Sequence, residues 1–240
     1  MCCRGLPRAS GEGSTIAHSF LSIRLRIVNL AAALGGLRSA LANHGVPAWQ
    51  APASTAVLDE LQAATSPYRI PPDVLDFWRQ VDVTTMRVAP DPLLTTPETA
   101  LVLWRDSSSS GTPFAPLLDV GHADHDCMSV ELDVGDIDGG ALFEWVASMD
   151  TGFTRRHNSL PEWLAQIATL IDGGCFQRLE TGDGIPTLRV PHPHKWSEWD
   201  RNRPVPADHP VHGDRLLYTF EVSDWPEHWR RVRRSSVVDT

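Results

Sequence analysis

Apolar residues recur at every third or fourth position in the first part of the chain. Leu30, Leu34 and Leu37 fall on one face of a helix at this spacing, which predicts a helix over about residues 27–43. Ser54 is of a residue type that caps helices, and a second helix is predicted after it. We therefore expect the folded part of the chain to begin with helices.

Proline and serine mark two further helix starts. The Pro-Pro-Asp sequence at 71–73 predicts a third helix, because proline suits the first turn and an acid suits the positive helix end. Ser159 and Glu162 form a capping box, in which the two side chains satisfy each other's backbone amides. This box predicts a helix that runs to about Ile171.

Residues 93–105 are compatible with two structures. The Thr-Pro-Glu sequence at 96–98 is typical of a helix start, whereas the apolar run at 101–104 also fits a strand. The serine-rich stretch 107–111 is predicted to be a loop.

The middle of the chain changes to short apolar runs that are separated by glycine and aspartate. Runs at 116–121, 127–133 and 141–146 predict three strands, and their close succession predicts an antiparallel meander. Two later strands are predicted at 187–190 and 216–222.

These elements together predict an α+β fold. It has N-terminal helices, a central and mainly antiparallel sheet, and flanking C-terminal helices, the last of which ends near Arg234. Residues 27–240 are expected to form a single domain after a disordered extension over 1–26. No apolar stretch predicts a membrane span. The adjacent Cys2 and Cys3 make a poor disulfide unit and the other two cysteines stand alone, which suggests reduced thiols, so we expect a cytoplasmic protein.

Charge is distributed unevenly along the chain. The formal net charge is −9, yet residues 1–43 contain five arginines and one acid, while residues 44–224 contain 12 basic and 27 acidic residues. A body this acidic repels phosphate backbones, which disfavours direct binding of nucleic acid.

One acidic segment lacks basic residues altogether. Residues 119–150 contain nine acids and no lysine or arginine. An acidic face of this kind would attract a basic protein partner and speed its association. Solvation of the turns of a meander explains the same pattern, and both interpretations stay open. The candidate partner-binding residues are Asp124, Asp126, Glu131, Asp133, Asp136, Asp138 and Glu144.

Histidine, aspartate and cysteine are concentrated between residues 119 and 127. The functional interpretation is a divalent metal in a metal-dependent hydrolase, because carboxylates and imidazoles are good ligands for such ions. The ligands would be His122, Asp124 and His125, with His192 or His194 as further candidates. The simpler interpretation is a polar turn between two strands, because Asp, His and Gly tolerate the backbone angles of turns. We favour the turn and expect neither metal nor other cofactor.

Motifs of covalent catalysis and of phosphate binding are absent from the sequence. The chain contains no Gly-x-Ser-x-Gly elbow, no glycine-rich phosphate loop and no Cys-x-x-Cys pair. Lys195 is the single lysine. We therefore expect a protein that is not an enzyme.

Nine tryptophans are many for a chain of this length. Trp78, Trp104, Trp145 and Trp163 fall in predicted elements and are expected in the core. Those near the C-terminus, among them Trp229, either form an exposed binding surface or cover the second face of the sheet. We favour the cover.

Several segments, taken together, resemble a known family. Residues 68–77 resemble its helix that starts with proline and carries a phenylalanine, and residues 159–171 are similar to its closing helix. The runs 114–120, 128–133 and 140–145 resemble its strand core. The family is the SUKH superfamily, also called the SMI1/KNR4 family, and the resemblance covers about residues 45–175. The chain departs from it at residues 80–83 and 122–126, and the block 176–240 extends beyond a minimal domain.

The resemblance implies an α+β domain that binds other proteins and catalyses nothing. Many bacterial members look like immunity proteins that neutralise secreted toxins, often nucleases, and fungal relatives are linked to regulation of cell-wall synthesis. Nucleases bind an anionic substrate and tend to be basic. An acidic inhibitor can therefore occupy the substrate-binding site of a nuclease by imitating the negative charge of the substrate. We expect an immunity or regulatory protein that binds a basic toxin domain. A cell-wall-synthesis or housekeeping scaffold is the alternative.

Overall fold

The computed structural model confirms the α+β class that the sequence predicts. It describes residues 28–89, 93–109, 115–122, 126–146, 152–189 and 217–218, together with 227, 229 and 230.

Five α-helices lie in the described residues. They are α1 (Leu30–Asn43), α2 (Ala56–Ala64), α3 (Pro72–Gln80), α4 (Pro97–Ser109) and α5 (Leu160–Asp172), and a short 3-10 helix, Val83–Thr85, follows α3. The first begins at Leu30 because the Asn29 side chain accepts a hydrogen bond of 2.8 Å from the Ala32 amide. At α5 the Ser159 hydroxyl accepts from the Glu162 amide at 3.3 Å, as predicted. The Glu162 carboxylate accepts from the amide of Asn158, one residue before the expected donor.

The sequence of residues 93–105 is compatible with a helix or a strand, and the structure has a helix, α4, from Pro97 onward. The Thr96 hydroxyl accepts a hydrogen bond of 3.1 Å from the Thr99 amide and thereby satisfies a free donor of the first turn. The predicted loop at 107–111 is wrong over 107–109, where α4 continues to Ser109. A formed helix grows by one hydrogen bond per residue, and serine opposes this growth only weakly.

Nine strands in the described residues form two sheets. They are β1 (Val88–Ala89), β2 (Leu93–Leu94), β3 (Leu117–His122), β4 (Asp126–Glu131), β5 (Leu142–Val146), β6 (Phe153–His157), β7 (Gln177–Glu180), β8 (Pro186–Arg189) and β9 (Leu217–Tyr218). The larger sheet is antiparallel in the order β2-β3-β4-β5-β6-β9, which includes the predicted meander. The smaller has the order β1-β8-β7, with β1 parallel to β8.

The smaller sheet was not predicted, although its strand β8 matches the run at 187–190. All four residues of β7 are exposed, so this strand lacks the alternation of buried and exposed positions that marks a half-buried strand. The strand β9 is the described part of the predicted run 216–222. Most of the predicted last helix lies outside the described residues.

The main core lies between the helices and one face of the larger sheet. The helices α1 and α5 pack against each other and bury Leu37 and Leu164. The sheet contributes Leu118, Val130 and Leu142, which belong to the same buried cluster. This burial follows from the predicted apolar faces of α1 and α5.

Tryptophans fill positions on both sides of the larger sheet. Of the four that were expected in the core, Trp78, Trp104 and Trp163 are buried and Trp145 is half-buried. On the second face, Trp229 packs against a smaller apolar cluster and is 1% exposed. This confirms the predicted cover for Trp229.

Two exposed glycines in the middle of α1 offer a stability prediction. A Cβ at Gly35 or Gly36 would meet no atom within 4 Å. Alanine stabilises a helix interior by about 1 kcal/mol over glycine, so Gly35→Ala and Gly36→Ala should each raise the free energy of unfolding by about that amount. Urea denaturation measures it. The control is Gly174→Ala after α5, where φ is +74° and no atom crowds the position. That change should destabilise, and a shift in the same direction for all three variants would contradict the prediction.

Candidate functional site

Three of the acids predicted to bind a partner, Asp133, Asp136 and Asp138, lie on the connection between β4 and β5. Val134 and Ile137 exchange two backbone hydrogen bonds of 3.0 Å and close a tight turn. Asp136 lies within this turn and Asp138 directly after it, and both are exposed. Ile137 is 43% exposed. Residues 134–138 are called the acidic tip below.

The acidic tip is anchored to the chain that leads into α3. Arg69 and Asp133 exchange backbone hydrogen bonds of 2.8 and 3.2 Å, and the Arg69 guanidinium donates to the Gly135 carbonyl at 3.0 Å. Asp133 is buried, and its carboxylate accepts a hydrogen bond of 2.8 Å from the Gly139 amide. Asp133 therefore shapes the tip through this internal hydrogen bond.

Two further predicted acids are engaged inside the protein. The Glu131 carboxylate accepts a hydrogen bond of 2.7 Å from the Trp229 indole. Glu144 forms an ion pair with Arg156, and the two side chains are 18% and 22% exposed. Removal of one partner of such a half-buried pair would leave the other charge poorly solvated, so the pair supports the sheet.

The seven predicted acids thus have different surroundings. Asp136 and Asp138 stand together on the exposed acidic tip, whereas the side chains of Glu131, Asp133 and Glu144 make internal contacts. Asp126 is the first residue of β4, and Asp124 lies outside the described residues. Sequence charge alone does not separate these groups, because the contact partners of Glu131 and Glu144 are distant along the chain or in an adjacent strand.

A groove of about 610 Å³ lies beside the acidic tip, between the starts of α3 and α5. Its polar lining comprises Gln62, Arg69, Asp73, Asp133, Asp138, Asn158 and Ser159. Asp73, on the α3 side, was not among the predicted partner-binding residues. The sequence does place Asp73 in the first turn of a predicted helix. Because Arg69, just before that helix, pairs with Asp133, the first turn of α3 and Asp138 line the same groove.

Acidic residues outnumber basic ones in the lining of the groove, with Asp73, Asp133 and Asp138 against Arg69. Asp73 occupies the first turn of α3, and the capping contacts of Ser159 and Glu162 satisfy the first turn of α5. The positive helix ends therefore already have negative or polar partners. Partial burial, and then the negative charge of Asp76, raise the pKa of Asp73. A lysine or arginine side chain in the groove would meet the carboxylates of Asp73 and Asp138.

A second polar site lies on the other face of the sheet, in β3 and β4. It consists of Asp119, His122, Cys127 and Ser129, which are called the hairpin cluster below. The His122 Nδ1 and Cys127 Sγ atoms are 3.2 Å apart. Single ligand atoms of Asp119, His122 and Cys127 all lie within 4.8 Å of one another. The Ser129 hydroxyl donates a hydrogen bond to Asp119.

A β-bulge brings the hairpin cluster together. Asp119 and His122 are three residues apart, a spacing that points side chains to opposite faces of a regular strand. The pairing of β3 with β4 shifts between Asp119 and Gly121, so that Asp119 lies opposite Ser129 and His122 opposite Cys127. Burial raises the pKa of Asp119, while the hydrogen bond from Ser129 and the nearby His122 oppose this rise.

The hairpin cluster overlaps the predicted metal ligands at one residue. His122 is in both sets, whereas Asp124, His125, His192 and His194 lie outside the described residues. Asp119 and Cys127 belong to the same dense sequence stretch but were not chosen as ligands. Gly121 was the available signal, because glycine inside a strand often marks a bulge.

Comparison of the sequence with protein-family models and with curated proteins finds no match. Among the described residues, no helix combines the length and the apolar character that a membrane crossing requires. The proposals below therefore depend on the fold and on the two polar sites.

Proposed function

We propose that this protein is a non-catalytic protein-binding module of the SUKH, or SMI1/KNR4-like, type. It binds a basic partner, as an immunity protein does with a toxin domain. The α+β class and the antiparallel meander agree with what the sequence resemblance implies. The observation that carries the proposal is that the exposed acidic tip borders a groove which Asp73 and Asp138 both line.

The acidic tip is preorganised for binding. Backbone pairing with Arg69 and the hydrogen bond from Gly139 to Asp133 hold the tip before a partner arrives. A preordered surface loses little conformational entropy on association, so the same contacts give a higher affinity. Exposed Ile137 between the two acids adds an apolar contact at the centre of the surface. Basic side chains of the partner would pair with Asp136 and Asp138 and enter the groove.

Charge reversal at the acidic tip tests the proposal. The partner is first captured from the source cells with the immobilised full chain and purified, and its dissociation constant is measured at low and high salt. Asp136→Lys with Asp138→Lys should weaken binding about 100-fold at low salt and flatten its salt dependence, because like charges would then face each other.

A matched control makes the same change of charge elsewhere. Asp172→Lys with Glu180→Lys alters two exposed acids at the end of α5 and in β7, away from the tip. This variant should retain affinity within about threefold, since long-range charge effects are screened by salt. Equal affinity of the tip variant and the control variant would contradict the acidic-tip proposal. The identity of the partner separates an immunity role from a cell-wall or housekeeping role.

A further inference from the structure

We propose that Asp119, His122 and Cys127 form a site for a borderline-soft divalent transition ion such as Zn²⁺. This site lies near the start of β4, at the other end of the strand from the acidic tip, and it does not depend on the proposed function. It differs from the ligand set that the sequence suggests, since two of its three ligands are new.

The donor types suit zinc. Zinc binds thiolate sulfur, imidazole nitrogen and carboxylate oxygen, and three protein ligands leave a fourth position for water. Calcium and magnesium prefer oxygen ligands alone, so the cysteine and the histidine select against them. Cys127 is buried and His122 is exposed, which gives the ion a protected thiolate and a path from solvent.

The donor atoms of His122 and Cys127 lie close to the separation that a bound ion would impose. With ordinary zinc–sulfur and zinc–nitrogen bond lengths and a tetrahedral angle, the two donor atoms lie about 3.6 Å apart. The observed separation of His122 Nδ1 and Cys127 Sγ is 3.2 Å, and the third ligand atom lies within 4.8 Å of both. Small movements of the exposed imidazole and of the Asp119 carboxylate would bring all three donor atoms to bonding distance from one ion.

Ser129 supports the site from outside the ligand set. Its hydroxyl donates to one carboxylate oxygen of Asp119 and directs the carboxyl group toward His122 and Cys127. Outer hydrogen bonds of this kind orient metal ligands and commonly contribute 10- to 100-fold to affinity. The bulge between Asp119 and Gly121 is necessary for the site, because in a regular strand the His122 side chain would point to the face away from Cys127.

The test uses the full chain without a histidine tag, with Cys2→Ser and Cys3→Ser in every sample so that those thiols do not contribute. Chelator-treated protein is titrated with Co²⁺, which reports thiolate ligation by a near-ultraviolet charge-transfer band, and then with Zn²⁺ in competition. We expect one equivalent of Co²⁺, a thiolate band, and its loss when Zn²⁺ is added. Zinc should also raise the melting temperature.

Variants decide whether the band arises at this site. His122→Ala changes an exposed residue and should leave the fold intact, as circular dichroism would verify, yet it should abolish stoichiometric binding. Cys127→Ser should remove the band, and Ser129→Ala should weaken zinc binding about tenfold. Cys175→Ser, at the other described cysteine, should change nothing. Folded protein without a thiolate band, or a band that survives His122→Ala and Cys127→Ser, would overturn the proposal.

Discussion

Replacement of Gly139 by alanine is expected to lower the free energy of unfolding by about 3 kcal/mol. A Cβ at this position would approach the Leu132 carbonyl carbon and oxygen to 2.6 and 2.7 Å, and the Glu131 carbonyl oxygen still more closely. These are backbone atoms, and the Glu131 carbonyl also accepts a hydrogen bond of 2.7 Å from the Gly140 amide. The chain cannot yield here without loss of pairing between the residues that flank the acidic tip.

Urea denaturation with Gly182→Ala as the matched control measures this effect. Gly182 is exposed, and a Cβ there would meet no atom within 4 Å, so its replacement should change stability by less than about 0.5 kcal/mol. Gly139 also lines the groove, and its amide holds Asp133. The Gly139 variant should therefore bind the basic partner less well even where it is folded. Equal urea midpoints for the two variants would show that the tip backbone is free to move.

Local signals were sufficient to predict most helices. Apolar spacing predicts α1, the proline step at 71–73 starts α3, and Ser159 caps α5, and each of these signals is local in the sequence. Residues 101–104 contain no local signal that distinguishes a helix from a strand, because their apolar side chains suit both structures when buried. Their helical structure depends on tertiary contacts, including the hydrogen bond of 3.0 Å from the Trp104 indole to the Ala64 carbonyl.

The candidate site was less predictable than the fold. Nine acids without a basic neighbour suggest one acidic face, yet Glu131 and Glu144 receive hydrogen bonds or ion pairs from Trp229 and Arg156. These partners lie 98 and 12 residues away along the chain. Composition gives the number of charged residues but does not show which of their side chains bond to residues that are distant along the chain. The pairing of strands was needed to separate the exposed tip from the supporting acids.

Composition also did not predict which residues form the hairpin cluster, although its proposed metal ligands lie close together in the sequence. The sequence stretch 119–127 contains every ligand of the proposed metal site, so its composition draws attention to this region. A one-residue irregularity in β3 decides which side chains share a face, and alternation of residue types does not report it. The choice of ligands therefore required the register of β3 against β4.

Trp229→Ala is expected to lower the free energy of unfolding by about 4 kcal/mol. The ring is 1% exposed and packs edge-to-face on Phe143, with ring centroids 5.4 Å apart. It covers a cluster that includes Leu117 and Ala141 on the second face of the larger sheet. Loss of the ring removes buried apolar area and leaves a cavity beside the sheet, and both terms destabilise the folded state. Thermal and urea unfolding measure the change.

Trp229→Phe separates packing from hydrogen bonding. Phenylalanine retains much of the apolar area but cannot donate to Glu131 as the indole does at 2.7 Å. This variant should lose about 2 kcal/mol, less than the alanine variant, because the hydrogen bond to a charged group and part of the ring are lost. A tryptophan that served as an exposed docking residue would behave differently, since its replacement would weaken partner binding and leave unfolding unchanged. An unchanged unfolding midpoint for Trp229→Ala would therefore contradict the second core and favour the binding role.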